Sequence, residues 1–290
     1  MRLILAILVG LIGAPVASAE VPRVVTDIAP VHALVAQVMG DLGAPVLLME
    51  QGADAHSFQL RPSQASAVAG AGLVVWVGPE MTPWLDRALE GIAADVPRLG
   101  LLGVPGTRVR ELEEGSATLD PHGWLDPQNG VVWLESIAGE LARIDPGNAG
   151  VYRANAAAAV AELAVLEAEI EALLGPVRDR PFVVFHEAYG YFTERYGLTV
   201  AGSIATGDAA APGAARLVAL RAAMQAGGVV CIFPEAAQDS ALVEQMAAGV
   251  GVRIGGALDP EGVALQPGPG LYRALLRGLA VTLAECLADP

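Results

Sequence analysis

Short apolar runs alternate with helix-like stretches along most of this chain. Residues 23–27, 45–50, 73–77 and 96–102 read as short buried strands, and helical patterns at 31–39, 62–69 and 83–92 follow the first three. Two of those helices begin at Pro62 and Pro83, where the first helical position tolerates a residue with no N–H to donate. The theme restarts in the second half, with strands at 182–185, 198–204, 229–233 and 252–257 and helices at 187–196, 214–225 and 240–248. Strand followed by helix, repeated, predicts a parallel sheet covered by helices in each half. Between the halves, residues 148–174 are rich in alanine, leucine and glutamate, with Leu163, Leu166, Ile170 and Leu173 at three-to-four spacing. That predicts one helix of roughly 40 Å at about 1.5 Å per residue. The expected α/β fold is two lobes, each with a parallel four-stranded sheet flanked by helices, at 20–146 and 176–290, joined by a long backbone helix at 147–175.

Ahead of the first strand lies an apolar run from Leu3 to Val16 after Met1 and Arg2, then Ala17-Ser18-Ala19. This is the pattern of a secretory signal peptide over residues 1–19, with the mature chain beginning at Glu20 and exported to the periplasm. No cysteine stands at the cleavage point to take a lipid, and no later stretch is long and apolar enough to span a membrane. Every basic residue is arginine, and the formal charge of −15 argues against nucleic acid as a partner. A monomer is expected. Two cysteines, Cys231 and Cys286, remain. In an oxidising compartment such an isolated pair most often forms one disulfide; a thiol metal site is the competing reading, against which the spacing speaks.

The chemistry lies in the histidines, of which there are four. His56 comes after the second strand, His122 after the fourth and His186 after the first strand of the second lobe, with Asp259 after the last. Open α/β sheets bind ligands beyond the carboxyl ends of their strands, so these four positions converge if the lobes face one another. Three imidazoles suit a borderline ion such as Zn2+, whereas manganese prefers more carboxylate oxygen. His32 and Glu80 fall on the same edges and are candidates to support a liganding imidazole, each with a structural role as the competing reading. The dipeptide His186-Glu187 begins like a zinc-protease HExxH but has Gly190 in place of the second histidine.

Around these residues stand GADAHSFQLRPSQ, VVWVGPEMTPWL, PHGWLDPQ, FVVFHEAYGYF and ALDPEG. With them the chain resembles the metal-binding components of bacterial ABC importers (cluster A-I), most closely the zinc-uptake solute-binding proteins, over nearly all of its mature length. The resemblance implies a non-enzymatic carrier that holds Zn2+ in a cleft and hands it to a membrane permease. It carries ligand roles onto His56, His122 and His186, leaves Asp259 or water for the fourth place, and puts a disulfide at Cys231 and Cys286. A manganese or iron carrier is the alternative in this class, and a three-histidine zinc hydrolase, or a protein that needs zinc to fold, in others. The chain departs from the family in three places. Ala55 replaces the glutamate that some zinc members carry before the first histidine. The stretch 103–120 has no histidine, only Glu111, Glu113, Glu114 and Asp120 as contacts for a cation. IFPEAAQ departs from the usual order after its strand, so Glu235 is assigned no direct metal role.

Overall fold

A computed structural model describes residues 20–50, 52, 58–112, 118–205 and 212–288. Among them, β1 (Val24–Thr26), β2 (Val46–Leu47), β3 (Leu73–Trp76) and β4 (Arg98–Gly100) form one parallel sheet in the order β2-β1-β3-β4. The strands β5 (Phe182–His186), β6 (Val200–Ala205), β7 (Cys231–Ile232) and β8 (Arg253–Ile254) form a second, in the order β6-β5-β7-β8, also parallel. The two α/β lobes expected from the alternation are therefore present.

Helices α1 (Ala29–Met39), α2 (Pro62–Ala69) and α3 (Pro83–Ile92) follow strands of the first sheet, and α2 and α3 start at the prolines that mark them in the sequence. An 18-residue helix, α4 (Pro127–Ile144), comes next. The sequence reading assigns no helix there, because Gly130 and Gly139 interrupt its pattern and no strand directly precedes it. The linking helix α5 (Ala149–Leu174) has 26 residues, buries Leu163, Leu166, Ile170 and Leu174 along one stripe, and packs on α1 and α4. Beyond it lie α6 (Gly190–Tyr196), α7 (Ala214–Gln225), α8 (Ala241–Ala247) and α9 (Leu271–Ala288), the last returning to pack on α5 and α1. No helix among the described residues is long and apolar enough to cross a membrane.

Alternation along β5 divides the second lobe's apolar side chains. Phe182 and Val184 join the large core shared with α5, α9 and the first lobe, while Val183 faces a smaller cluster with Ile204, Leu220, Met224 and Val243. The second sheet is buried on both faces, as parallel sheets usually are. Cys231 of β7 and Cys286 of α9 form a disulfide.

One buried acid ties the first sheet together at its carboxyl edge. Asp27, with no exposed surface, accepts the N–H of Ile28 (2.8 Å), the N–H of Val77 (2.9 Å) and the Thr82 hydroxyl (3.4 Å). Burial outweighs these bonds and pushes its carboxyl from 3.8 up to about 6. Because the folded value lies above the unfolded one, the folded state holds this proton more tightly. The stabilisation that follows is complete below about pH 4 and is lost as pH rises through about 6. The gap corresponds to about 3 kcal/mol. Unfolding free energies should accordingly fall relative to Asp27→Asn, which does not titrate, by up to that amount between pH 4 and pH 7. Denaturant melts at the two pH values check this.

Candidate metal centre

Two of the predicted ligands meet where the lobes face each other. His186 is the last residue of β5, one residue inside the strand rather than just after it. His122 stands further from β4 than the sequence reading places it, at the mouth of a short helical turn (Gly123–Leu125) that leads into α4. Both are 2% exposed, and their ring centres lie 5.4 Å apart. Two imidazoles sharing one tetrahedral zinc put their ring centres about 3.2 Å from the ion and so about 5.2 Å from each other. The pair has the spacing that a single ion requires.

Each imidazole is oriented by a carboxylate on its Nδ1. Asp120 Oδ1 accepts from His122 Nδ1 at 2.7 Å and from the His122 backbone N–H at 3.0 Å. Glu235 Oε2 accepts from His186 Nδ1 at 2.6 Å and from the Tyr189 hydroxyl at 3.0 Å. An ionised carboxylate only accepts, so the proton sits on Nδ1 and the lone pair of each ring is on Nε2, the form a metal needs. At Asp120, burial acts to raise the pKa, but the hydrogen bonds from His122 and Arg110 prevail and hold the carboxyl below its ordinary value.

Neither acid is accidental in placement. Asp120 reaches back two residues along its own chain. Glu235 is brought in by strand register: β5 and β7 pair Phe182 with Cys231 and Val183 with Ile232, and the same offset of residues sets His186 beside Glu235. Glu235, given no metal role from sequence, is the residue that accepts from the His186 imidazole. Asp120, in sequence only one of several acids in its loop, is the acceptor for His122.

The second lobe is locked to His122 from the other side. Trp124 donates its indole N–H to the Pro260 carbonyl at 2.7 Å, and the Tyr272 hydroxyl donates to the Trp124 carbonyl at 2.7 Å. Buried Asn129 bonds both backbone groups of Arg108 and the carbonyl of Gly123, closing the loop at its two ends.

Asp259 sits between Leu258, bridged to Glu235, and Pro260, held by Trp124. Its carboxylate accepts the N–H groups of Gly262 (2.8 Å), Val263 (2.9 Å) and Ala264 (2.9 Å), so it shapes the turn that follows it. Among the described residues no three side chains of ligand type converge at ion-holding distance. His56 and Ala55 lie outside the described residues, as do Glu113, Glu114 and the expected signal peptide at 1–19. His32 engages the Pro45 carbonyl at 3.2 Å, and burial lowers its pKa. Glu80 is exposed and folds back over Gly78, where a Cβ would come within 2.6 Å of its carboxylate. The Nδ1 acceptors of His122 and His186 are Asp120 and Glu235.

The profile of a family described as the periplasmic component A of the zinc-uptake complex, ZnuA, matches residues 24–286. The high-affinity zinc uptake system protein ZnuA of Paracoccus denitrificans is 47% identical, over 98% of this chain and 97% of its own length. Its namesake in Brucella suis is 35% identical over 98% and 96%. Among solved structures, a zinc-bound ZnuA lacking its residues 138–173 superposes with a TM-score of 0.80 at 27% identity, covering 92% of this chain and 99% of that one. A structure of the Pseudomonas aeruginosa protein FpvC with Mn2+ reaches 0.82 at 22% identity and shares the fold. With the paired imidazoles, their carboxylates and a family match over residues 24–286, the chain belongs to the ZnuA family of periplasmic zinc-uptake components.

Proposed function

We propose that this protein is a periplasmic carrier that takes up Zn2+ between its lobes and delivers it, chemically unchanged, to the permease of an ABC importer. The observation that carries the reading is the buried pair His122 and His186, one from each lobe, at the spacing of a shared ion and each with Nδ1 on a carboxylate. His56, His122 and His186 supply three nitrogens, and the fourth place goes to water or to the remaining lone pair of Asp259, whose oxygens already accept three N–H groups. Nitrogen donors disfavour manganese, which binds them most weakly of the first-row divalent ions. The mature chain begins at Glu20, works as a monomer in the periplasm and performs no catalysis.

Calorimetry on the metal-stripped protein tests this. The expected result is one tight zinc site that excess manganese does not occupy, with no turnover of ester or phosphate substrates by the zinc-loaded protein. Tight manganese binding with weak zinc binding would reverse the assignment of cargo, and steady turnover would make the protein a hydrolase.

A further inference from the structure

The stretch that leads into His122 doubles back on itself and reaches the other lobe. Leu112 N–H bonds the Thr118 carbonyl (2.9 Å) and Asp120 N–H the Arg110 carbonyl (2.9 Å), which sets Arg110 beside Asp120. The Arg110 guanidinium donates to Asp120 Oδ2 at 2.5 Å and, through Nε, to Glu194 Oε1 of α6 at 3.1 Å. Arg108 also pairs with Glu194. Tyr191 completes the joint: it accepts the Arg110 N–H (3.1 Å) and donates to the Asp120 carbonyl (3.0 Å). The guanidinium lies so close to Gly190 that a Cβ there would collide with it. Asp120 therefore spends one oxygen on His122 and the other on a cation held by the second lobe.

We infer that Arg110, seated over Gly190 and paired with Glu194, is an interlobe latch: a positioning residue that holds Asp120, and through it the His122 imidazole, in the metal-ready orientation only while the lobes are docked, and so sets the rate at which zinc leaves. The inference rests on the zinc-carrier reading. Its physical basis is that a carboxylate held on one oxygen by a guanidinium itself tied to Glu194 is hindered from turning away from the imidazole on its other oxygen. Opening of the lobes withdraws Glu194 and Tyr191, frees Arg110 and loosens the imidazole at the moment of handover.

Stopped-flow transfer of zinc from the loaded protein to a chelator reads the release rate. Arg110→Ala removes the latch outright. Gly190→Ala displaces it without changing any charge or hydrogen-bonding side chain, at a helical position that suits alanine. Each should speed release roughly tenfold, the lower end of what loss of an outer partner of a metal-bound histidine costs, with association unchanged. Glu194→Gln should give a smaller increase in the same direction. Nitrogen NMR of the metal-free proteins supplies a readout that a merely structural role would not move: His122 is held as the Nδ1–H tautomer in the wild type and becomes a mixture in Arg110→Ala and Gly190→Ala. Wild-type release rates with an unchanged His122 tautomer in both variants would overturn the latch. Failure of the wild-type protein to take up zinc would instead remove the carrier reading beneath it.

Discussion

His186→Ala should bind zinc roughly a thousandfold more weakly than the wild type, a loss of about 4 kcal/mol. The size follows from two separate effects. A nitrogen donor disappears from a four-coordinate ion, and its replacement by water restores only part of the bond. Glu235, whose Oε2 accepts from the imidazole and from the Tyr189 hydroxyl, also loses the group it orients. Loss of an outer partner alone costs about 10- to 100-fold, so a true ligand must exceed that range. Glu235→Gln provides the comparison within the same protein. Its amide oxygen still accepts from Nδ1, so orientation survives while the negative charge that strengthens the donor is gone, and affinity should fall about tenfold. His122→Ala should behave as His186→Ala does. Competition with a chelator of known affinity measures all three, and a loss at His186→Ala no larger than that at Glu235→Gln would move the ion away from this pair.

How far this site can be read from sequence depends on the range of each contact. Buried strands announce themselves as apolar runs, and parallel pairing follows from the helices between them, so both sheets were legible. The approach of His122 to His186 was legible too, because strand ends in such sheets gather on one edge. Their supporting acids were harder. Asp120 lies only two residues from His122, yet nothing in the local sequence separates it from Glu111 as the acid that turns inward; the pairing of Arg110 with Asp120 across the loop decides that. Glu235 is 49 residues from His186 and becomes visible only once β5 and β7 are known to be neighbours in register. His32 and Glu80 occupy the edge that sequence assigns them, but edge position fixes the end of a strand, not the direction of a side chain. His32 turns to the Pro45 carbonyl and Glu80 to solvent. Asp259 illustrates the same limit, since its place beside Glu235 and Trp124 follows from topology while its three N–H partners follow from the turn after it.

Removing the disulfide, by Cys231→Ala with Cys286→Ala or by reduction, should lower the unfolding free energy of the metal-free protein by about 4 kcal/mol. The bridge spans 55 residues of sequence and closes a loop that contains β7, β8, α8 and most of α9. In the unfolded chain that closure removes a large share of the conformations open to those elements, and the logarithmic dependence on loop length gives the quoted figure. The native side of the balance changes less. Cys231 is fully buried in a strand paired with both β5 and β8, and α9 is held independently by Leu275, Leu276, Leu279 and Leu283 in the main core. Alanine at both positions therefore leaves the ladder that sets Glu235 beside His186 in place, and zinc affinity should stay within a few-fold of the wild type. For a chain of this size about 4 kcal/mol corresponds to a fall in melting temperature of roughly 10 °C. A scanning calorimetry melt of the metal-free double variant against the oxidised protein measures it. An unchanged melting temperature would mean that α9 docks as firmly without the bridge, whereas a large fall accompanied by lost zinc binding would mean that the bridge, and not the β5–β7 ladder, holds Glu235 against the imidazole.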